Sequence, residues 1–234
     1  MILASSDTVP APPHAATRRL RAVIFDMDGV LVLSEPFIAE ASIRMFAEKG
    51  YTVGRNEFRP FIGMGEDRFI GGVAEARGIP LDPARDKAHT YAIYLDLIKG
   101  RLDALPGVRE FVAACRAHGL ALAVASSADE IKVEGNLGEI GLPASTFDVV
   151  VNGSQVARKK PAPDIFLEAC RRLDRDPSAC LVIEDALSGV AAAKAAGCRC
   201  LAVTTSFAAD KLAAAGADWV APGLDHAPPE VLDW

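Results

Sequence analysis

Two carboxylates stand two residues apart in Asp26-Met27-Asp28-Gly29-Val30-Leu31. They close an apolar run, Arg21–Asp26 (RAVIFD). A carboxylate can attack phosphorus and form an aspartyl-phosphate. The leaving oxygen then needs a proton, which a second carboxyl group can supply. The same residues also suit a plain turn, since Asp-Gly is common there. Ala125-Ser126-Ser127 offers a hydroxyl and backbone N–H groups as a phosphate cradle, or simply a serine helix cap. Lys159-Lys160-Pro161-Ala162-Pro163-Asp164 sets two lysines beside stiff residues. Lys160, fixed by Pro161, is the candidate to neutralise a carboxylate–phosphate pair, whereas Lys159 reads as a solvated basic loop residue. Glu184-Asp185 follows the apolar run CLVI. Acids placed there are costly unless paired or metal-bound, although they also suit a helix N-terminus. Hard oxygen ligands from Asp26, Asp28, Glu184 and Asp185 suit Mg²⁺, which would screen the carboxylates from an incoming phosphate.

These groups need elements that bring them together. Short runs rich in apolar residues predict strands at 21–26, 120–125, 147–151, 180–183, 200–203 and 218–220. Near-continuous hydrophobicity marks strands buried on both faces of a parallel sheet. Helical patterns at 106–118, 129–140, 163–173 and 186–196 alternate with them, several opening on Pro or closing before Gly. Alternation of this kind predicts an α/β fold with a doubly wound parallel sheet. Ligands in such sheets bind at the carboxyl ends of the strands. All four chemical groups fall at strand ends on that one edge. The stretch 36–103 breaks the alternation, with helices expected at 36–49, 66–77 and 82–101. The expected organisation is therefore a tail over 1–21, a core over 22–35 and 104–234, and an inserted all-helical cap over 36–103.

The bulk numbers narrow the partners. The chain has 234 residues, half of them hydrophobic, and a formal net charge of −6. It has no lysine- and arginine-rich run, so no nucleic acid partner is expected. No apolar run is long enough to span a bilayer, so no membrane is expected either. Five cysteines without paired spacing read as reduced thiols in a reducing compartment. Residues 1–21 lack the apolar core of a secretory signal.

The pieces FDMDGVL, ASS, KPAPDIFLEA and IEDALSGVAAAKAAG, spread between about Ala22 and Val203, make the chain resemble the haloacid dehalogenase superfamily. Within it, the likeness is to the β-phosphoglucomutase-like phosphatases with a helical cap. The resemblance implies Asp26 as nucleophile and Asp28 as general acid and base, its backbone carbonyl touching Mg²⁺. It implies that Ser126 holds the phosphoryl group, that Lys160 bridges Asp26 and phosphate, and that Glu184 and Asp185 hold the metal, Asp185 more directly. Ser127 and the cap residues Gly63, Glu66 and Arg68 are the expected substrate contacts. The wording of the cap from Phe61 to Arg77 also resembles the phosphatase-like module of plant suppressor-of-quenching proteins. That gives the chloroplast stroma as the alternative to a cytoplasmic setting. The pattern departs from the family at Leu33, Ile38, Ala186 and Glu66. Ile38 replaces a histidine and Glu66 an arginine used by sugar-phosphate mutases, which counts against mutase activity. The expected function is a monomeric Mg²⁺-dependent phosphatase acting on a small phosphorylated metabolite, such as a sugar phosphate. The alternatives are a phosphomutase and a non-catalytic regulatory module; dehalogenation would leave the metal-binding acids without a role.

Overall fold

The computed structural model describes residues 19–61 and 65–234. Six strands form one sheet: β1 (Ala22–Phe25), β2 (Ala121–Ala125), β3 (Val149–Val151), β4 (Cys180–Glu184), β5 (Arg199–Val203) and β6 (Trp219–Ala221). Their order is β3-β2-β1-β4-β5-β6, and every pairing is parallel. The chain winds outward from β1 to β3, then crosses back to β4 on the other side of β1. That reversal opens a crevice at the carboxyl ends of β1 and β4. Phe25 is level with Val124 and with Ile183. The residues that follow β1 and β2 and the last residue of β4 therefore reach one edge together.

Side chains alternate across the sheet and build two cores. Phe25, Leu122, Val124 and Ile183 face α4 (Val108–Ala117), α5 (Glu130–Glu139) and the helical insert. Ala22, Ala123, Ala125, Val182 and Cys200 face α6 (Asp164–Leu173) and α7 (Leu187–Ala196). Small residues on this second face let the helices approach closely. Gly189 in α7 shows the limit: a Cβ there would lie 1.7 Å from Glu184 Oε1.

The insert comprises α1 (Glu35–Glu48), a 3₁₀ turn (Arg55–Phe61), α2 (Glu66–Arg77) and α3 (Pro83–Ile98). No strand interrupts it among the described residues. Asp82 starts α3 by accepting the Arg85 N–H at 3.1 Å. This third helix ends at Ile98, short of the expected 101. Helix α1 packs along α3, which leans in turn on α5, where the Tyr94 hydroxyl donates to Asn136. The 3₁₀ turn and a short α8 (Ala209–Ala214) were not expected. The turn contains Pro60, and α8 buries only Leu212, so neither carries an apolar period. The expected tail falls mostly outside the described residues, but Leu20 and Arg21 belong to the fold. Leu20 is buried and its N–H donates to the Trp234 carbonyl at 2.6 Å; the Arg21 N–H donates to the Ala179 carbonyl at 2.8 Å. All five cysteines are buried and unpaired. Among the described residues no helix is long and apolar enough to cross a membrane.

The two helical glycines Gly189 and Gly138 should respond oppositely to alanine. Gly189→Ala should cost about 1–3 kcal/mol through overpacking against Glu184. Gly138→Ala, with nothing within 4 Å of the new Cβ, should gain up to about 1 kcal/mol of helix stability. Urea unfolding midpoints of the two variants test this.

Candidate active site

Asp26 is the first residue beyond β1, and its N–H donates to the Ile183 carbonyl at 2.9 Å. The side chain of Lys160, buried under the sheet edge, reaches it from the loop before α6. Lys160 Nζ lies 2.5 Å from Asp26 Oδ1 and 2.7 Å from Glu184 Oε1. Burial works against the ammonium, yet the two carboxylates outweigh it and hold Lys160 protonated, above the ordinary lysine range. Burial also acts on Asp26. With help from Glu184 and Asp28, and against Lys160, it pushes the Asp26 carboxyl up to about 7.

Glu184 has little freedom. Its second oxygen accepts the N–H groups of Asp185 at 2.8 Å and Ala186 at 2.9 Å. Asp185 accepts the Ser206 hydroxyl, while the Thr205 hydroxyl, 3.3 Å from the same carboxylate oxygen, donates to the Gly29 carbonyl at 2.5 Å. Burial, then Glu184 and Asp26, raise its carboxyl well above the usual range. Asp26, Glu184 and Asp185 each present an oxygen within 4.8 Å of the others. A Cβ at Gly29 would fall 1.9 Å from Asp185 Oδ2, so glycine clears the space this carboxylate occupies. Three buried hard donors with one ammonium among them fit a divalent cation such as Mg²⁺.

Asp28 does not join that cluster. Its carboxylate turns away from it, accepting the Ser34 hydroxyl and pairing with Lys132 Nζ at 2.8 Å. Of the four acids expected to hold the metal, three therefore cluster by their side chains, and Asp28, expected to reach the ion through its backbone carbonyl, stands apart. Lys132 also pairs with Glu66 Oε1 at 3.1 Å, which links α5 of the core to α2 of the insert. Burial opposes the Lys132 charge, but Asp28 and Glu66 hold it well above the ordinary lysine range.

Ser126 is buried, its N–H donating to the Val151 carbonyl at 3.0 Å and its hydroxyl accepting the Ala128 N–H at 3.2 Å. The Ser127 hydroxyl is buried without a partner. Lys159, expected in solvent, instead donates to the Ser127 carbonyl at 3.0 Å and fastens this turn. Asp26, Asp28, Ser126, Ser127, Lys132, Lys160, Glu184 and Asp185 line one cavity of about 600 Å³, with Glu35 and Ile38 from α1 and Glu66 from α2. Arg68 lies outside it, exposed, near Glu75 at 3.4 Å and over the Phe61 ring at 5.7 Å. Gly63 lies outside the described residues.

Ser34, Glu35, Lys132 and Ser206 were missed from the sequence. A signal existed for Lys132. It shares the inward face of α5 with Val133, Asn136 and Leu137, and a charge on a buried helical stripe requires a partner.

A model described as haloacid dehalogenase-like hydrolase matches residues 20–197. The chain is 45% identical over 201 residues to the chloroplastic Protein SUPPRESSOR OF QUENCHING 1 of Arabidopsis thaliana. That match takes in 85% of this chain but only 19% of the plant protein's length. It is 33% identical over 189 residues to Hexitol phosphatase B of Escherichia coli K12, covering 80% of this chain and 84% of that one. The crystal structure of CbbY from Rhodobacter sphaeroides in complex with phosphate superposes with a TM-score of 0.81 at 30% identity, covering 92% of this chain and all of that one.

The raised carboxyls make the metal-free protein pH-sensitive in a defined direction. Asp26 and Glu35 are both pushed up to about 7, Glu35 chiefly by burial and then by Asp28. Between their ordinary values near 4 and pH 7, the folded state holds protons that the unfolded chain has released. Stability therefore falls as pH rises through this window. The thermal midpoint in EDTA should drop from about pH 5 to pH 7, and Mg²⁺ should raise it most at the upper end, where the ligands are deprotonated. Melting curves at several pH values, with and without Mg²⁺, check both slopes.

Proposed function

This chain belongs to the haloacid dehalogenase-like hydrolase family, and from that premise we propose that it is a Mg²⁺-dependent phosphatase of small phosphorylated metabolites, sugar phosphates among them. The observation that carries the reading is the Lys160 ammonium bridging Asp26 and Glu184, with a second carboxyl, Asp28, two residues further on. Names of relatives, a hexitol phosphatase and CbbY with bound phosphate, support the substrate class.

In this reading an Asp26 carboxylate oxygen attacks phosphorus. The bond from phosphorus to the leaving oxygen breaks, and the proton on Asp28 passes to that oxygen. A water molecule then gives its proton to Asp28 and attacks phosphorus, which releases inorganic phosphate and restores the Asp26 carboxylate. Lys160 stabilises the charge gathering between Asp26 and the phosphoryl oxygens, while the hydroxyls and amides of Ser126 and Ser127 cradle the phosphoryl group. Ser34 and Lys132 fix Asp28 on the leaving-group side. Asp26, Glu184 and Asp185 would hold Mg²⁺, with the Asp28 backbone carbonyl; when bound, it neutralises the charge that would keep phosphate from the nucleophile. The insert, residues 36–103, serves as the cap that excludes bulk water. Ile38 in the cavity offers no proton-transfer group, which disfavours a mutase. The likeness to a chloroplastic protein supports the chloroplast stroma as the alternative to a cytoplasmic setting.

Phosphate release from a panel of sugar phosphates should require Mg²⁺ and stop in EDTA. Asp26→Asn should abolish it, and Asp28→Asn should lower kcat by about 10²–10⁴-fold. Undiminished release by Asp26→Asn would refute the reading. Isomerisation of a sugar phosphate without release would make the enzyme a mutase.

A further inference from the structure

Lys132 belongs to the core helix α5, and its side chain is buried there beside Val133, Asn136 and Leu137. An ammonium taken out of water needs compensating partners. They reach Lys132 from several elements. Nζ lies 2.8 Å from Asp28 Oδ2 and 3.1 Å from Glu66 Oε1. The Tyr94 ring centroid is 6.0 Å away, at the outer limit of a cation–π contact. Glu35 adds a further negative charge nearby. An ammonium donates and never accepts, so Lys132 acts on its surroundings in one way: it draws carboxylate oxygens toward itself.

That pull matters most at Asp28. This residue stands two positions after Asp26, close enough for its charge to act on the Asp26 carboxyl. Yet among the described residues only Asp26, Glu184 and Asp185 bring oxygens within 4.8 Å of one another. Both Asp28 oxygens are engaged elsewhere. Oδ1 accepts the Ser34 hydroxyl, and Oδ2 accepts from Lys132. The serine is the weaker restraint. It is neutral, and the Tyr94 hydroxyl is a second hydrogen-bond neighbour for it. A bond between two ionised groups is roughly twice as strong as a neutral one.

A divalent cation at the three-acid cluster would compete for the same carboxylate. Such ions take carboxylate oxygens, and their affinity rises with the number of charged ligands. Asp28 without an ammonium of its own would turn to the cation. Bound there, its side chain could not deliver a proton to the leaving oxygen or take one from water.

Building on the phosphatase reading, we propose that Lys132 is a positioning residue for proton transfer: it holds the Asp28 side chain out of the metal-binding cluster and so reserves it for the leaving oxygen and the attacking water. The ammonium comes from a core helix, so this hold does not depend on the insert, and Glu66 steadies it from the other side. Lys132 itself transfers nothing. It also lines the cavity, so the rival role is a direct contact with the substrate phosphate, and the two roles predict different measurements.

Lys132→Met removes the charge and keeps most of the side-chain length. Titrated calorimetrically without substrate, this variant should bind Mg²⁺ about tenfold more tightly than the wild type. On a hexitol phosphate its kcat should fall about 10²–10⁴-fold. p-Nitrophenolate leaves without needing a proton. The variant should therefore still release about one equivalent of it in a burst and then stall, because water attack requires Asp28. Melting curves check that the variant is folded. If it is not, Lys132→Met combined with Glu66→Gln, which also removes a surplus carboxylate, carries the same measurements. Unchanged or weaker Mg²⁺ binding, or equal losses on both esters without a burst, overturns the inference and leaves the phosphatase reading standing. No release from any ester by the wild type overturns the phosphatase reading and this inference with it.

Discussion

Asp26, Glu184 and Asp185 meet at the carboxyl ends of β1 and β4 with a single ammonium, that of Lys160, between the first two. Taking an ion out of water costs several kcal/mol even after the protein relaxes. One lysine cannot offset that for three acids. The imbalance is visible in the raised carboxyls of Asp26 and Asp185. A divalent cation, as proposed for this site, would resolve the excess before a phosphoryl group enters. The arrangement that sets three buried acids against one ammonium is the one that fits a divalent cation.

A second ammonium repeats the pattern one step out. Lys132 is 3% exposed and lies between Asp28 and Glu66. Asp28 belongs to the loop after β1, Lys132 to a core helix and Glu66 to the insert. Removing either acid would strand part of a buried charge, a change that typically costs about 3–5 kcal/mol. The insert is thereby tied to the group assigned to proton transfer, not merely laid over it. If the insert moves away, Lys132 loses one partner and Asp28 loses none. The acid keeps its orientation while the cavity opens.

The sheet was legible because its strands are short, apolar and spaced by helices, and because strand ends are where such folds place chemistry. Asp26, Ser126 and Asp185 could be read as candidates for that reason, since each stands at the end of an apolar run, and Lys160 because it stands directly before Pro161. Lys132 and Glu35 could not be read the same way. Lys132 sits inside a helix and Glu35 at the start of one, and only the packing of α1 and α5 on α3 turns them inward. Lys159 was read as solvated because a basic loop usually is. The nearby glycine Gly153, whose Cβ would lie 2.4 Å from Lys159 Nζ, lets it close on Ser127 instead. Arg68 was drawn into the expected site by its place in the cap, yet helical geometry points it away from the cavity.

Several of these placements depend on side chains that are missing. Gly29 adopts φ +82°, a region that favours glycine, and a Cβ there would collide with Asp185. Gly189 stands against Glu184 and Gly153 against the Ser127 carbonyl. In each case backbone approaches a functional group more closely than any other residue would allow. Charge decides which groups must be brought together at this edge. These glycines decide how near they come, and so Asp185 and Glu184 can share one small space with Asp26. A single methyl group at any of the three positions would displace a carboxylate or the Ser127 turn without altering one charged residue. The chemistry of the site is thus written as much in its glycines as in its acids and lysines.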